Sequence, residues 1–237
     1  MTICEAKVNK MQFSDRTLSL LKNFSSINSN ILIKRGNILT TISPMKNLMG
    51  KAEVSEDFPV EFGVWDLNKF LGTISLFSSP KFEFEDNRVV ISNGNDTSKV
   101  VYYYSDPNLL TTINKEVKVP DVVLKFELKE EILQELIKAS SVLQLPDMIV
   151  SPSSNRESVD IILTDKKDKT SNTYTLKCGV DLMDVDDFNF VMRVENIKIL
   201  SESYIVSMSS VRVSNFKTKD GMLNYWIALE SDTTCTE

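Results

Sequence analysis

With 237 residues, 42% of them hydrophobic and 25% charged, the chain has the composition of a soluble globular protein, long enough for one large or two mid-sized domains. It contains no histidine, seven glycines and three isolated cysteines (Cys4, Cys178 and Cys235), which excludes histidine-based triads and most transition-metal sites and argues for free thiols in a reducing cytoplasm. The net charge of −6 divides unevenly, with 14 Lys and Arg against 13 Asp and Glu in Met1–Lys118 and 13 against 20 in Val119–Glu237, which argues against a strongly basic nucleic-acid reader.

In chain order, Lys7–Phe13 is predicted as a strand. A helix follows, capped by Ser14 or Asp15. At about 100° per residue, Thr17–Ser29 gathers Leu20, Leu21, Phe24 and Ile27 on one side and turns Lys22 nearly opposite. Ile31–Lys34 and Asn37–Ile42 are strand-like around Arg35-Gly36, and Asn47–Val54 is a weaker third strand. The order then restarts. Val60–Trp65 reads as a strand, and Asp66 caps a short helix with Leu67, Phe70, Leu71, Ile74 and Phe77 on one face and Lys69 on the far side. Lys81–Glu85 and Arg88–Ser92 alternate around Asp86-Asn87, and Ser98–Tyr104 supplies another strand. Ser105–Val119 has no clear period and reads as a connector.

Beyond the connector the order recurs: strand Val122–Glu127, helix Lys129–Leu143, then strands near Met148–Val150, Ser158–Thr164 and Asn172–Cys178. A fourth round starts at Phe188–Arg193, passes a helical turn at Val194–Leu200, and ends in strands Tyr204–Met208, Val211–Phe216 and Asn224–Leu229. Leu20-Leu21-Lys22 aligns with Leu136-Ile137-Lys138, and Ile27 with Leu143; Leu136, Ile137, Ala139 and Leu143 are expected on one face, opposite Lys138. Four strand–helix–three-strand rounds, two on each side of a connector, indicate an internal duplication. Each helix stripe and sheet face can then share a core, giving an α+β fold of two similar domains.

Neither a GxxxxGK(S/T) loop nor a GxGxxG loop occurs, so the usual phosphate cradles are absent from the sequence. No apolar run reaches the length of a membrane span, and Met1–Lys10 lacks the apolar centre of a signal peptide. Asp181, Asp184, Asp186 and Asp187 form an acidic cluster that either holds Mg²⁺ or is a solvated loop; it lacks the Gly and closing Glu of a calcium loop.

Four segments, LLKNFSSINSNILIKRGN, WDLNKFLGTISL, FNFVMRVENIKI and YWIALESD, carry a resemblance to the sliding clamps of T-even-type bacteriophages, the processivity factors of their replicative DNA polymerases. In order and spacing it covers about Met11–Thr234, and it leaves the first ten residues as an extension. The resemblance implies the DNA-clamp fold: an N-terminal domain at 1–106, a connector at 107–120 and a C-terminal domain at 121–237. It also implies a closed homotrimeric ring with helices lining the hole and sheets outside, no catalytic activity and no cofactor. The implied partners are double-stranded DNA without sequence specificity, the DNA polymerase, an ATP-dependent clamp loader and phage late-transcription factors, in the cytoplasm of the infected bacterial host and away from any membrane. A structural ring-forming β-rich phage protein of the tail or baseplate is the alternative.

A ring that holds DNA by topology has to slide, so tight phosphate contacts would stall it. A mostly acidic exterior with a few inner lysines meets that need. Lys22, Lys69 and Lys138 are the DNA-facing candidates, with Arg16 and Lys198 in ambiguous helical phase; Glu131 and Glu135 interrupt a uniformly basic lining. The resemblance further implies that Lys99–Tyr104 of one subunit pairs with Asn172–Cys178 of the next, with Tyr102, Tyr104, Tyr174 and Leu176 as apolar contacts. It puts a partner-peptide pocket at Ile42, Met45, Leu48, Leu109, Leu110, Ile113 and Leu229.

Overall fold

The computed structural model describes residues 9–93, 98–113, 117–154 and 156–236. The chain divides into two compact units, Met1–Pro44 with Lys51–Asn114, and Met45–Gly50 with Lys115–Glu237. The expected strand at Lys7–Phe13 begins, among the described residues, at Asn9; most of the ten-residue extension lies outside them.

The first unit runs β1 (Asn9–Met11), α1 (Asp15–Ile27), β2 (Ile31–Ile33), β3 (Gly36–Ile42), β4 (Leu48–Phe58, its part from Lys51 on), β5 (Phe62–Val64), α2 (Leu67–Ile74), β6 (Lys81–Phe84), β7 (Arg88–Ser92) and β8 (Lys99–Tyr103). β1, β6, β7 and β8 form an antiparallel sheet in that order, β2 pairs with β5, and β3 lies beside β4. Ser14 caps α1 by accepting from the Thr17 backbone N–H, and Asp15 adds an acidic first turn where the helix dipole favours it.

Behind this cap sits Glu56, buried in β4. It accepts from the Ser14 backbone N–H, from the Thr17 hydroxyl at 2.5 Å and from the Ser55 hydroxyl at 3.1 Å. Burial alone would raise its pKa, but the hydrogen bonds from Ser14 and Thr17 outweigh burial and hold the carboxyl below its ordinary value. Leu20, Leu21, Phe24 and Ile27 are buried as the helical spacing predicts, and α1 packs on α2, which contributes Leu67, Phe70 and Ile74. Phe13 stacks on Phe82 at 3.9 Å, and Phe58, Phe62 and Phe84 continue the aromatic core. Each such buried ring contributes about 1.5–3 kcal/mol of transfer free energy, so the core and not helix propensity holds this unit together.

The second unit runs β9 (Val122–Leu128), α3 (Glu130–Leu143), β10 (Asp147–Pro152), β11 (Ser158–Thr164), β12 (Tyr174–Met183), β13 (Asp187–Arg193), a 3-10 turn at Val194–Asn196, β14 (Tyr204–Ser209), β15 (Val213–Lys217), β16 (Leu223–Ala228) and β17 (Thr234–Thr236). Its strands line up as β17-β13-β10-β11-β12-β9-β14-β15-β16, antiparallel throughout. Tyr204, Phe216 and Tyr225 meet edge to face at 6.1–6.2 Å in the core. Asp147 is fully buried, accepting from Arg193 Nη1 at 2.8 Å and from the Lys166 backbone N–H at 3.0 Å.

Two expectations fail in this unit. The helical turn expected over Val194–Leu200 is a 3-10 turn of three residues. On α3 the buried residues are Leu133, Leu136 and Ser140, whereas Ile137 and Leu143 are each 38% exposed and Val142 is 72% exposed. The second follows from the first: α2 is eight residues long in the first unit, whereas the corresponding helical stretch here has three, so it covers less of α3.

Candidate functional site

Lys22, on α1, and Lys69, on α2, are both exposed, each on the side of its helix away from the buried residues. The Lys69 backbone N–H donates to the Asp66 carboxylate at 2.9 Å, so the cap also fixes where this lysine leaves the helix. Between α1 and α2 runs a groove of about 650 Å³ lined by Phe13, Leu18, Lys22, Leu71 and Phe77, with Asp15 at its side. Arg16 is exposed on the first turn of α1. In the second unit Lys138 is exposed on α3 beside exposed Glu131 and Glu135, and Lys198 is exposed just past the 3-10 turn, outside any α-helix. Trp65, 56% exposed between the end of β5 and the cap of α2, is a surface aromatic that periodicity alone did not single out, because it falls just past a strand end.

β8 has β7 as its one strand neighbour among the described residues, and Tyr174–Gly179 of β12 has only β11. The ladder alternates, so one set of backbone groups on each strand faces outward. Tyr104 donates to the Asn87 carbonyl on the β7 side, which turns the backbone groups of Lys99, Val101 and Tyr103 outward. By the same alternation, started from the Ser153 N–H on the Ser158 carbonyl, Thr175 and Lys177 face away from β11.

The aromatics expected at these edges are half-buried, with contacts inside their own units. Tyr102 packs edge to face on Phe70 at 4.9 Å, and Tyr104 lies 5.2 Å from Phe62, so each rests its inner face on its own unit's core while staying half-buried; burial raises both phenol pKa values, with Asp66 adding to the shift of Tyr102. Val101 and Tyr103, 40% and 62% exposed, are the apolar groups that β8 turns outward. Tyr174 donates to the Glu135 carboxylate, a bond that raises its pKa and ties β12 to α3, while Leu176 is half-buried.

The residues expected to receive a partner peptide differ sharply in access. In the first unit, Leu109 is 65% exposed on the 3-10 turn Pro107–Leu109, Ile42 and Ile113 are half-buried, and Leu110 is buried. Leu110 staples the start of the connector: a Cβ on Gly63 would lie 2.7 Å from its Cδ1 and 2.5 Å from the Ser105 carbonyl oxygen. In the second unit Met45 is 83% exposed, whereas Leu48 and Leu229 are buried. Leu48, Leu110 and Leu229 thus pack as core residues with little exposed surface, while Met45 and Leu109 hold the accessible positions.

The acidic cluster spans the end of β12 and the start of β13, with Asp186 paired to Arg156 at 2.8 Å on the surface. Among the described residues no group of three His, Cys, Asp or Glu is arranged to hold a metal. Cys178 is buried, which pushes its thiol pKa up and keeps it unreactive.

Comparison with known proteins adds to this geometry. The family described as "DNA polymerase processivity factor" matches residues 14–105, and "gp45 sliding clamp, C terminal" matches residues 125–231. The sliding clamp of Vibrio phage KVP40 is 30% identical over 225 residues, covering 93% of this chain and 100% of that protein. The sliding clamp of Enterobacteria phage T4 is 28% identical over 230 residues, covering 94% and 99%. Among solved structures, A. fulgidus PCNA bound to the C-terminal region of FEN-1 aligns with TM-score 0.70 at 12% identity, over 95% of this chain and 98% of that one. PCNA from Entamoeba histolytica aligns at 0.66 and 13% identity, over 90% and 94%. At these identities the structures speak for the fold alone.

Proposed function

This chain belongs to the bacteriophage sliding-clamp family, and on that premise we propose that it closes with two further copies into a ring around double-stranded DNA, tethers the replicative DNA polymerase there, and is opened and closed by an ATP-dependent clamp loader. The family acts without catalysis, and the fold is the DNA-clamp fold. The observation that carries the ring reading is the pair of open edges. β8 in one unit and Tyr174–Gly179 in the other each leave a row of outward backbone groups, and edges of this kind invite pairing with another chain. Joining two different edges is a heterologous contact, which closes into a ring when the rotation permits.

In the ring, Lys22, Lys69 and Lys138 meet the phosphates through water and long side chains, with Arg16 and Lys198 at the margin, while the net charge of −6 keeps the remaining surface from gripping DNA. The described residues include no helix long and apolar enough to cross a membrane. The proposed site of action, the cytoplasm of the infected host, follows from a role in phage DNA replication, the role that the phage sliding clamps similar to this chain support. Met45 and Leu109, exposed and apolar, are the residues proposed to meet partner peptides, those of late-transcription factors included. The two domains are proposed as 1–106 and 121–237, joined by the connector 107–120.

The deciding experiment loads the protein, with a clamp loader and ATP, onto nicked circular DNA and then linearises the DNA. A clamp stays on the circle and runs off the ends. A tail or baseplate ring, or a direct DNA binder, leaves the two forms equally occupied.

A further inference from the structure

The two free edges carry matching faces. On β8, Val100 and Tyr102 lie across from buried Ile91 and Val89 of β7, while Lys99, Val101 and Tyr103 are exposed on the outer face. On β12, Tyr174, Leu176 and Cys178 lie across from buried Leu163, Ile161 and Val159 of β11, while Thr175, Lys177 and Gly179 are exposed. On both strands the residues whose backbone groups point off the edge are those of the outer face. That coincidence sets the direction of any pairing between them. In an antiparallel ladder, directly opposed residues exchange both bonds and share a face, so outer meets outer and both cores stay on one side. A parallel ladder offsets the bonded residues by one, which would set the outer face of one strand beside the inner face of the other.

The register follows from charge and from the length of free edge. Lys99 opposite Lys177 would set like charges together, which destabilises a cross-strand pair. Tyr103 opposite Lys177 would push Lys99 past Gly179, where β12 already pairs with β9 from Val180 onward. One alignment uses all three outward residues of each strand: Lys99 with Gly179, Val101 with Lys177, and Tyr103 with Thr175. Lys177 suits this place. Asp160 lies across from it on β11 with one carboxylate oxygen buried and without a hydrogen-bond partner, so an acid waits for the ammonium while the stem covers Val101. We propose that a second copy of this chain adds its β8 antiparallel to β12 in this register. On the inner face, Val100 of one subunit then lies directly opposite Cys178 of the next, Tyr102 opposite Leu176, and Tyr104 opposite Tyr174. The register rests on the ring reading given above and fixes which residues meet across each joint.

The native Cys178 makes the test a single substitution. Val100 and Cys178 would form a non-hydrogen-bonded pair, with Cα atoms about 4.5 Å apart, which is within disulfide reach. In full-length protein carrying Cys4→Ser and Cys235→Ser, Cys178 is the only thiol left. Ser98→Cys, Val100→Cys and Tyr102→Cys are then added one at a time, each protein is oxidised with copper phenanthroline, and the products are separated on a non-reducing gel. Val100→Cys should give covalent dimer and trimer bands that dithiothreitol removes, and adding Cys178→Ser should abolish them. The other two positions should stay at the single-chain band. Cross-linking chiefly through Ser98→Cys or Tyr102→Cys means a register shifted by two residues and overturns the proposal. No cross-link at any of the three positions, in protein whose native mass is still that of the trimer, places the joint on other edges and overturns it as well. A native mass of one chain before oxidation instead removes the ring reading itself, and the register with it.

Discussion

At the scale of single residues, the buried carboxylate of Glu56 replaces a solvent cap with a fixed one, so the start of α1 is stabilised from a strand distant in sequence. Its folded pKa lies below the ordinary value, so its contribution is complete above the unfolded carboxylate pKa and disappears as pH falls through the lower folded pKa. Glu56→Gln, which loses the charge and keeps one acceptor oxygen, should cost about 1–2 kcal/mol at neutral pH in urea unfolding. The gap between the two proteins should close in the acid range; a gap that persists there would mean shape and not charge holds the cap. The lysines behave differently, since nothing in the core depends on them. Changing Lys22, Lys69 and Lys138 together to Ala should leave stability within about 0.5 kcal/mol per site. The same variant should load less DNA and show a shallower salt dependence, and loss of the oligomer instead would give these lysines a structural role. Sequence alone showed the three lysines because helical phase exposes them; it did not show Glu56 or Asp147, whose partners are brought close only by the fold.

At the scale of elements, the edge strands are the testable joint. Tyr103 and Thr175 each point their backbone N–H outward, so a proline there removes no ladder bond inside its own unit. Tyr103→Pro and Thr175→Pro should therefore leave each protein folded by circular dichroism and split the oligomer in sedimentation. An intact oligomer in both variants would show that other edges make the joint. The alternation of β6, β7 and β11 was legible because one face of each is buried, and strand Ser158–Thr164 lies where the pattern put it. The two places where period alone fell short share a cause. Period fixes the face that a helix can bury but not whether another element arrives to bury it, so Ile137 and Leu143 looked like core until the 3-10 turn proved too short. Tyr102 and Tyr104 likewise alternate with Val101 and Tyr103, and only their contacts with Phe70 and Phe62 tell the inner pair from the outer.

At the scale of the whole molecule, the duplicated order of strands and helices carried the reading of the fold, and the phage relatives and the PCNA structures agree with it. Native mass spectrometry across concentration should give about three times 26.9 kDa. A monomer at every concentration would remove the ring. Pocket residues were less legible than the fold, because leucine reads the same in a staple as in a binding surface: Leu110 and Leu109 are neighbours in sequence, yet one is buried and the other 65% exposed.

Gly63 gives the last of these contrasts a genetic meaning. Its backbone pairs with Ser105, whose N–H donates to the Gly63 carbonyl at 2.9 Å, and there is no room for even a methyl group between them. Gly63→Ala would have to push the start of the connector off its seat, at a cost of about 1–3 kcal/mol. A penalty of that size moves a melting midpoint by several degrees and leaves the surface chemistry untouched, which is the profile of a conditional allele: a phage carrying it should form plaques in the cool and fail in the warm, and because the tightest clash is with the Ser105 backbone, trimming the side chain at position 110 alone should not restore growth.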